Sequence, residues 1–73
     1  LKRIAINPKI MTGKPVIKGT RIPVELILKK LAQNIDAKEI LEDFPRLTRD
    51  DIKAAIMYAE SLVEGTEVFP LSS

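Results

Sequence analysis

Phe44-Pro45-Arg46-Leu47-Thr48-Arg49-Asp50-Asp51-Ile52 holds a helix stop, a tight turn and a helix start within nine residues. A residue before proline is driven out of helical backbone, so a helix running into Phe44 ends ahead of Pro45. Thr48 has the short polar side chain that accepts from the amides of a new first turn. Asp51, three residues on, completes a capping-box spacing, and Leu47 stands where an apolar residue staples to Ile52. The segment therefore separates two helices by a three-residue turn.

Upstream, Asp36 and Glu39 repeat the N-cap spacing, and Ala37, Ile40, Leu41 and Phe44 make the inward side of a helix of about two turns. Downstream, Ile52, Ala55, Ile56, Ala59 and Val63 are the expected buried face of a longer helix, with Gly65 its expected left-handed cap. A third helix precedes both. Pro23 suits a first helical position, and Val24, Ile27, Leu28, Leu31 and Ile35 recur at helical spacing, which predicts a helix over 23–33. Leu26 is apolar but off that stripe, so it points to a contact beyond the helix's own core.

The first third of the chain is punctuated by Pro8, Gly13, Pro15, Gly19 and Pro23. Between them Ile4-Ala5-Ile6, Val16-Ile17 and Thr20-Arg21-Ile22 read as two or three brief strands joined by turns. Pro15 and Pro23 donate nothing to a ladder, so strands are edges or end there. An isolated hairpin is marginal in water and must pack on the helices or on a second copy. The expected organisation is one mainly α domain over 1–64, a β arm or hairpin at 1–22 and a three-helix unit at 23–64. A tail over 65–73 follows.

The chain has 73 residues, 45% apolar and 30% charged, the composition of one small folded domain. It contains no cysteine and no histidine, which removes disulfides, thiol chemistry, zinc clusters and imidazole catalysis. Gly13-Lys14-Pro15 and Gly19-Thr20-Arg21 lack the ending of a phosphate-binding loop, and Pro15 removes an amide such a loop uses. No apolar run approaches the roughly 20 residues of a membrane span, and the opening residues lack the form of a secretory leader. The chain opens on Leu1 rather than Met, so at least one residue is expected ahead of it. The expectation is a cytoplasmic, non-enzymatic protein without metal or cofactor.

The net charge of +2 conceals a division. Residues 1–30 hold eight cations against Glu25 alone, a net +7, and residues 31–73 hold four cations against nine carboxylates, a net −5. Such asymmetry suits two different partners. The order of the last helices is that of a helix-turn-helix, whose final helix enters the major groove of DNA. Arg46, Arg49 and Lys53 on that unit, with Lys14, Lys18 and Arg21 in the basic arm, are the candidate DNA contacts. Asp50 and Asp51 oppose this at the leading end of the helix, although they suit its dipole. No aromatic residue interleaves the basic ones, which counts against single-strand or RNA stacking. Leu26, Met57, Tyr58, Leu62, Val68, Phe69 and Leu71 are surplus apolar surface and the candidate protein interface, a second subunit included.

Gly13-Lys14-Pro15-Val16-Ile17-Lys18-Gly19-Thr20-Arg21-Ile22-Pro23-Val24, Glu39-Ile40-Leu41-Glu42-Asp43-Phe44-Pro45-Arg46-Leu47-Thr48 and Asp51-Ile52-Lys53-Ala54-Ala55-Ile56-Met57-Tyr58-Ala59 together resemble one family. It is the prokaryotic domain of unknown function 433 family, whose members look like VapB-type antitoxins paired with PIN-like nuclease toxins. The resemblance spans about residues 3–64. It implies a homeodomain-like three-helix unit behind a short β arm, often dimeric, in a type II toxin–antitoxin module. It further implies one activity toward the toxin and one toward operator DNA; the alternative is an interaction or dimerisation module that never touches DNA. Position 12 is Thr where the family commonly has His, so any role of that imidazole is missing here.

Overall fold

A computed structural model describes residues 2–9 and 11–65. The element order is β1 (Ile4–Ile6), a short 3-10 turn (Met11–Gly13), β2 (Pro15–Ile17), α1 (Val24–Ala32), α2 (Ala37–Asp43) and α3 (Arg49–Glu64). Mainly helical architecture with an amino-terminal hairpin is thus present as expected. The hairpin is antiparallel, pairing Ile4 with Ile17, Ala5 with Val16 and Ile6 with Pro15. Pro15 takes the end of the ladder, where its missing N–H breaks least.

The third expected strand, Thr20–Ile22, does not form. The chain reverses instead: the Thr20 amide donates to the Ile17 carbonyl at 3.0 Å and the Ile17 amide to the Ile22 carbonyl at 3.0 Å. The Thr20 hydroxyl fastens the reversal, donating to the Ile17 carbonyl at 2.7 Å and accepting from the Ile22 amide at 3.0 Å. Gly19 supplies the φ of +81° that the turn needs. A single bridge from Val16 to Pro23 is what remains of a third strand.

Pro23 occupies the N-cap of α1 rather than its first turn, because its backbone is extended (ψ 143°). The helix ends on a left-handed asparagine, Asn34, at φ 66°. The Ile35 amide bonds the Lys30 carbonyl and the Asn34 amide the Leu31 carbonyl, the two bonds of a Schellman motif. Helix α2 starts as read, with the Asp36 carboxylate accepting from the Glu39 amide at 2.9 Å. Helix α3 has the complete capping box: the Asp51 amide donates to the Thr48 hydroxyl, and the Thr48 amide to the Asp51 carboxylate.

The core joins Ile17 of the hairpin to Val24, Ile27, Ile40, Leu47, Ile52 and Ala55. The α1 stripe and the inward side of α2 lie where spacing puts them, with Leu28, Leu31, Ile35, Ala37, Leu41 and Phe44 packed around the buried residues. Helix α3 departs from expectation. Ile56 and Val63 are 48% and 62% exposed, while Asp51 is buried and Tyr58 packs on the core. At about 100° per residue the helix is rotated by roughly 60° toward Asp51 and Tyr58. From Glu60 through Gly65 every residue is exposed, so the end of α3 runs past the core. The tail over 66–73, with Val68, Phe69 and Leu71, lies outside the described residues.

Asp51 explains the rotation. One carboxylate oxygen accepts from the Thr48 amide at 3.0 Å and the other from the Arg3 guanidinium at 3.0 Å. A buried carboxylate is costly unless its oxygens are occupied, so the helix turns to satisfy both. Asp51→Ala is expected to lower unfolding free energy by about 2 kcal/mol, through the lost cap and the stranded Thr48 amide. Arg3→Ala is expected to cost less than about 1 kcal/mol, because its side chain remains half in water. Urea denaturation measures both, and an Asp51→Ala protein as stable as the parent contradicts this role for the carboxylate.

Gly65 caps α3 with φ −82°, not in the left-handed region anticipated for it. A Cβ at either Gly19 or Gly65 meets nothing within 4 Å, so backbone conformation alone separates them. Gly19→Ala is expected to cost about 1 kcal/mol and Gly65→Ala to leave the urea midpoint unchanged or raised. Equal destabilisation by both substitutions contradicts the distinction.

Candidate functional site

Arg21 leaves the reversal between β2 and α1, and Arg46 sits between the caps of α2 and α3. Although 25 residues apart in sequence, both line one open groove of about 660 Å³. Its remaining wall is Ala5, Asn7, Val16, Gly19, Thr20 and Ile22. The turn holding Arg46 is set by the Leu47 amide bonding the Phe44 carbonyl at 2.9 Å and by burial of Leu47. No carboxylate lines the groove, and neither guanidinium has an ion pair among the described residues. Two unneutralised guanidiniums over a wall of mixed apolar and amide character can hold an anionic oxygen by charge and by paired N–H donors.

The other expected DNA residues are dispersed. Lys14 is paired with Glu25 of α1, which removes much of its attraction for phosphate. Lys18 is exposed at the start of the reversal after β2, where its amide donates to the Arg3 carbonyl at 2.7 Å. Arg49 and Lys53 are exposed one turn apart at the start of α3. Beside them Asp50, with a side chain 73% exposed, faces Arg3 at 3.6 Å. Carboxylates here match the positive end of the helix dipole but repel an approaching phosphate.

Among the expected protein contacts, Leu26 is half-buried in a shallow depression with Pro23, Glu25 and Lys29. Met57 is 51% exposed at the junction of arm and α3, beside Lys2, Arg3 and Ala54. Tyr58 packs on the core cluster and Leu62 is 61% exposed. Two features escape a reading by spacing. In sequence Arg3 is only one more basic residue, whereas in the fold it closes onto Asp51 and Asp50. Spacing assigns Ile56 and Val63 to the core, and they line an exposed groove with Ala59, Glu60 and Glu64.

Among the described residues no cluster of three or more acidic side chains could hold a metal ion, and no helix is long and apolar enough to cross a membrane.

Residues 4–59 match the family described as "Protein of unknown function (DUF433)". The chain belongs to the DUF433 family. A solved DUF433 member from Anabaena variabilis superposes with a TM-score of 0.79 at 37% identity, covering 85% of this chain and 61% of that one. The uncharacterized protein y4eO of Sinorhizobium fredii is 34% identical over 58 residues, which are 80% of this chain and 26% of the relative. An uncharacterized protein of Archaeoglobus fulgidus is 60% identical over 25 residues, 34% of this chain and 69% of that protein. The DUF433 chain thus spans about a quarter of the rhizobial relative and under two thirds of the solved one. Groove and core both fall within the matched residues 4–59.

Proposed function

We propose that this DUF433 chain is the antitoxin-like component of a type II toxin–antitoxin module, acting in the cytoplasm without catalysis of its own. It neutralises a PIN-like nuclease toxin and binds operator DNA. The observation that carries the DNA half is the convergence of Arg21 and Arg46 in one groove without a carboxylate. Lys18 and Arg49 flank that groove in the chain and are exposed. The order of short helix, three residues between caps and longer helix supports a helix-turn-helix of homeodomain-like type. Arg46 would then meet the backbone as the leading end of α3 approaches the major groove. The toxin half is supported by the resemblance of the Gly13–Val24 signature to antitoxin-like members. It is also supported by charge, since a PIN-like active site is acidic and a guanidinium pair complements it.

A second reading is an interaction module that never touches DNA. Exposed Asp50 favours it, because phosphate would meet that carboxylate first at the leading end of α3.

Binding to duplex DNA from upstream of the gene, measured by fluorescence anisotropy across a salt series, separates the two readings. The first reading expects affinity that falls steeply with salt, with a log–log slope of several units. Removing Arg21 and Arg46 together is expected to reduce that slope by about 2, one for each phosphate no longer neutralised. No binding, or binding indifferent to salt, leaves only the second reading.

A further inference from the structure

The rotation of α3 places Ile56 in line with two cations. Arg49, Lys53 and Ile56 stand at i, i+4 and i+7, and all three are exposed, Ile56 at 48%. At about 100° per residue they fall within about 60° of the helix circumference. At about 1.5 Å per residue they span roughly 10 Å of its length, the rise of about three base pairs. Neither Arg49 nor Lys53 has an ion pair among the described residues. The two carboxylates of the first turn are off this face. Asp51 is buried, and Asp50 stands about 100° round from Arg49, facing Arg3 at 3.6 Å. What the face presents is two unpaired cations and then one β-branched apolar side chain.

We infer that Ile56 is a base-reading residue, which recognises the 5-methyl group of a thymine in the major groove of duplex DNA. This role rests on the reading of α3 as the groove-entering helix and adds the base that the helix selects. Arg49 and Lys53 draw the face toward phosphates and base acceptors, and Ile56 follows them into the groove. An aliphatic side chain neither donates nor accepts a hydrogen bond. Among the groups on the major-groove edges, only the thymine methyl therefore gains from contact with it. Against the other bases Ile56 strips water from donors and acceptors and returns no bond, which is a penalty. Its branched Cβ also holds few rotamers, so a methyl is met by a side chain already in place. Glu60, exposed one turn further along the same side, closes the reading face, because its carboxylate repels the phosphates that Arg49 attracts. Val63 lies beyond Glu60 and so outside that face.

The test uses duplexes selected from a random pool by the intact 73-residue chain. Each thymine of the preferred site is replaced in turn by deoxyuridine, which pairs in the same way but lacks the methyl group. At one position the replacement is expected to weaken binding about fourfold, the worth of one buried methyl. In Ile56→Ala the same replacement is expected to cost less than about twofold, because the partner of the methyl is already gone. Val63→Ala is expected to keep the full dependence on that thymine. Both side chains are exposed, so both variants are expected to retain the helical circular dichroism of the parent. Three results overturn the role of Ile56 and leave the groove-entering helix standing. They are a preferred site indifferent to every thymine methyl, a methyl dependence that survives Ile56→Ala, and duplex binding without a preferred site. Absence of duplex binding removes the groove-entering helix and the role of Ile56 together.

Discussion

One carboxylate carries two obligations in this fold. Asp51 must close the capping box of α3 with one oxygen and receive Arg3 from the hairpin with the other. The first obligation is local, and it fixes the backbone at the start of the longest helix. The second ties residues 48 positions apart, and it brings β1 against that helix. A two-stranded hairpin has little stability alone. Here it contributes Ile17 to the core on one side and Arg3 to a buried acid on the other. Hairpin and helices are accordingly one unit rather than an arm appended to a bundle.

The same obligation has a consequence on the far side of α3. Turning the helix to bury Asp51 also turns Ile56 and Val63 out of the core, and the helix then runs beyond the body of the domain. Surface that spacing assigns to the interior becomes surface available to a partner. The basic residues are likewise divided by the fold. Arg3 and Lys14 are occupied by carboxylates, whereas Arg21 and Arg46 gather in a groove that has none. The net +7 of the first 30 residues is therefore not one uniform basic surface.

How much of the fold is legible in the sequence follows the range of the interactions concerned. Caps at Asp36 and Thr48 and the break before Pro45 depend on a few neighbouring residues, and they are legible. The apolar stripe of α1 is legible because that helix is covered along its whole length. The third strand fails because Thr20 satisfies the backbone around it from within the turn. Gly65 stands at the C-cap of α3 with φ −82°, so the left-handed conformation that a glycine after a helix suggests is not used at this residue. The buried face of α3 is misplaced by spacing because apolar periodicity takes no account of a buried acid drawn toward a distant arginine. Pairing of Arg21 with Arg46 in one groove is hidden for the same reason, since only the packed fold brings the two turns together.

The claim that hairpin and helices form one unit has a direct measurement. The Lys18 amide, held by the Arg3 carbonyl, reports on the pairing of the two hairpin strands, and the Ile17 amide, held by the Ile22 carbonyl, on the attachment of β2 to the reversal before α1. The Ala55 amide, in the buried part of α3, reports on the helical core. Native-state hydrogen exchange read residue by residue compares their opening free energies. A single cooperative unit predicts that all three amides open together, within about 1 kcal/mol of one another. Hairpin amides exchanging at nearly the rate of an unstructured chain, while Ala55 stays protected, would contradict it.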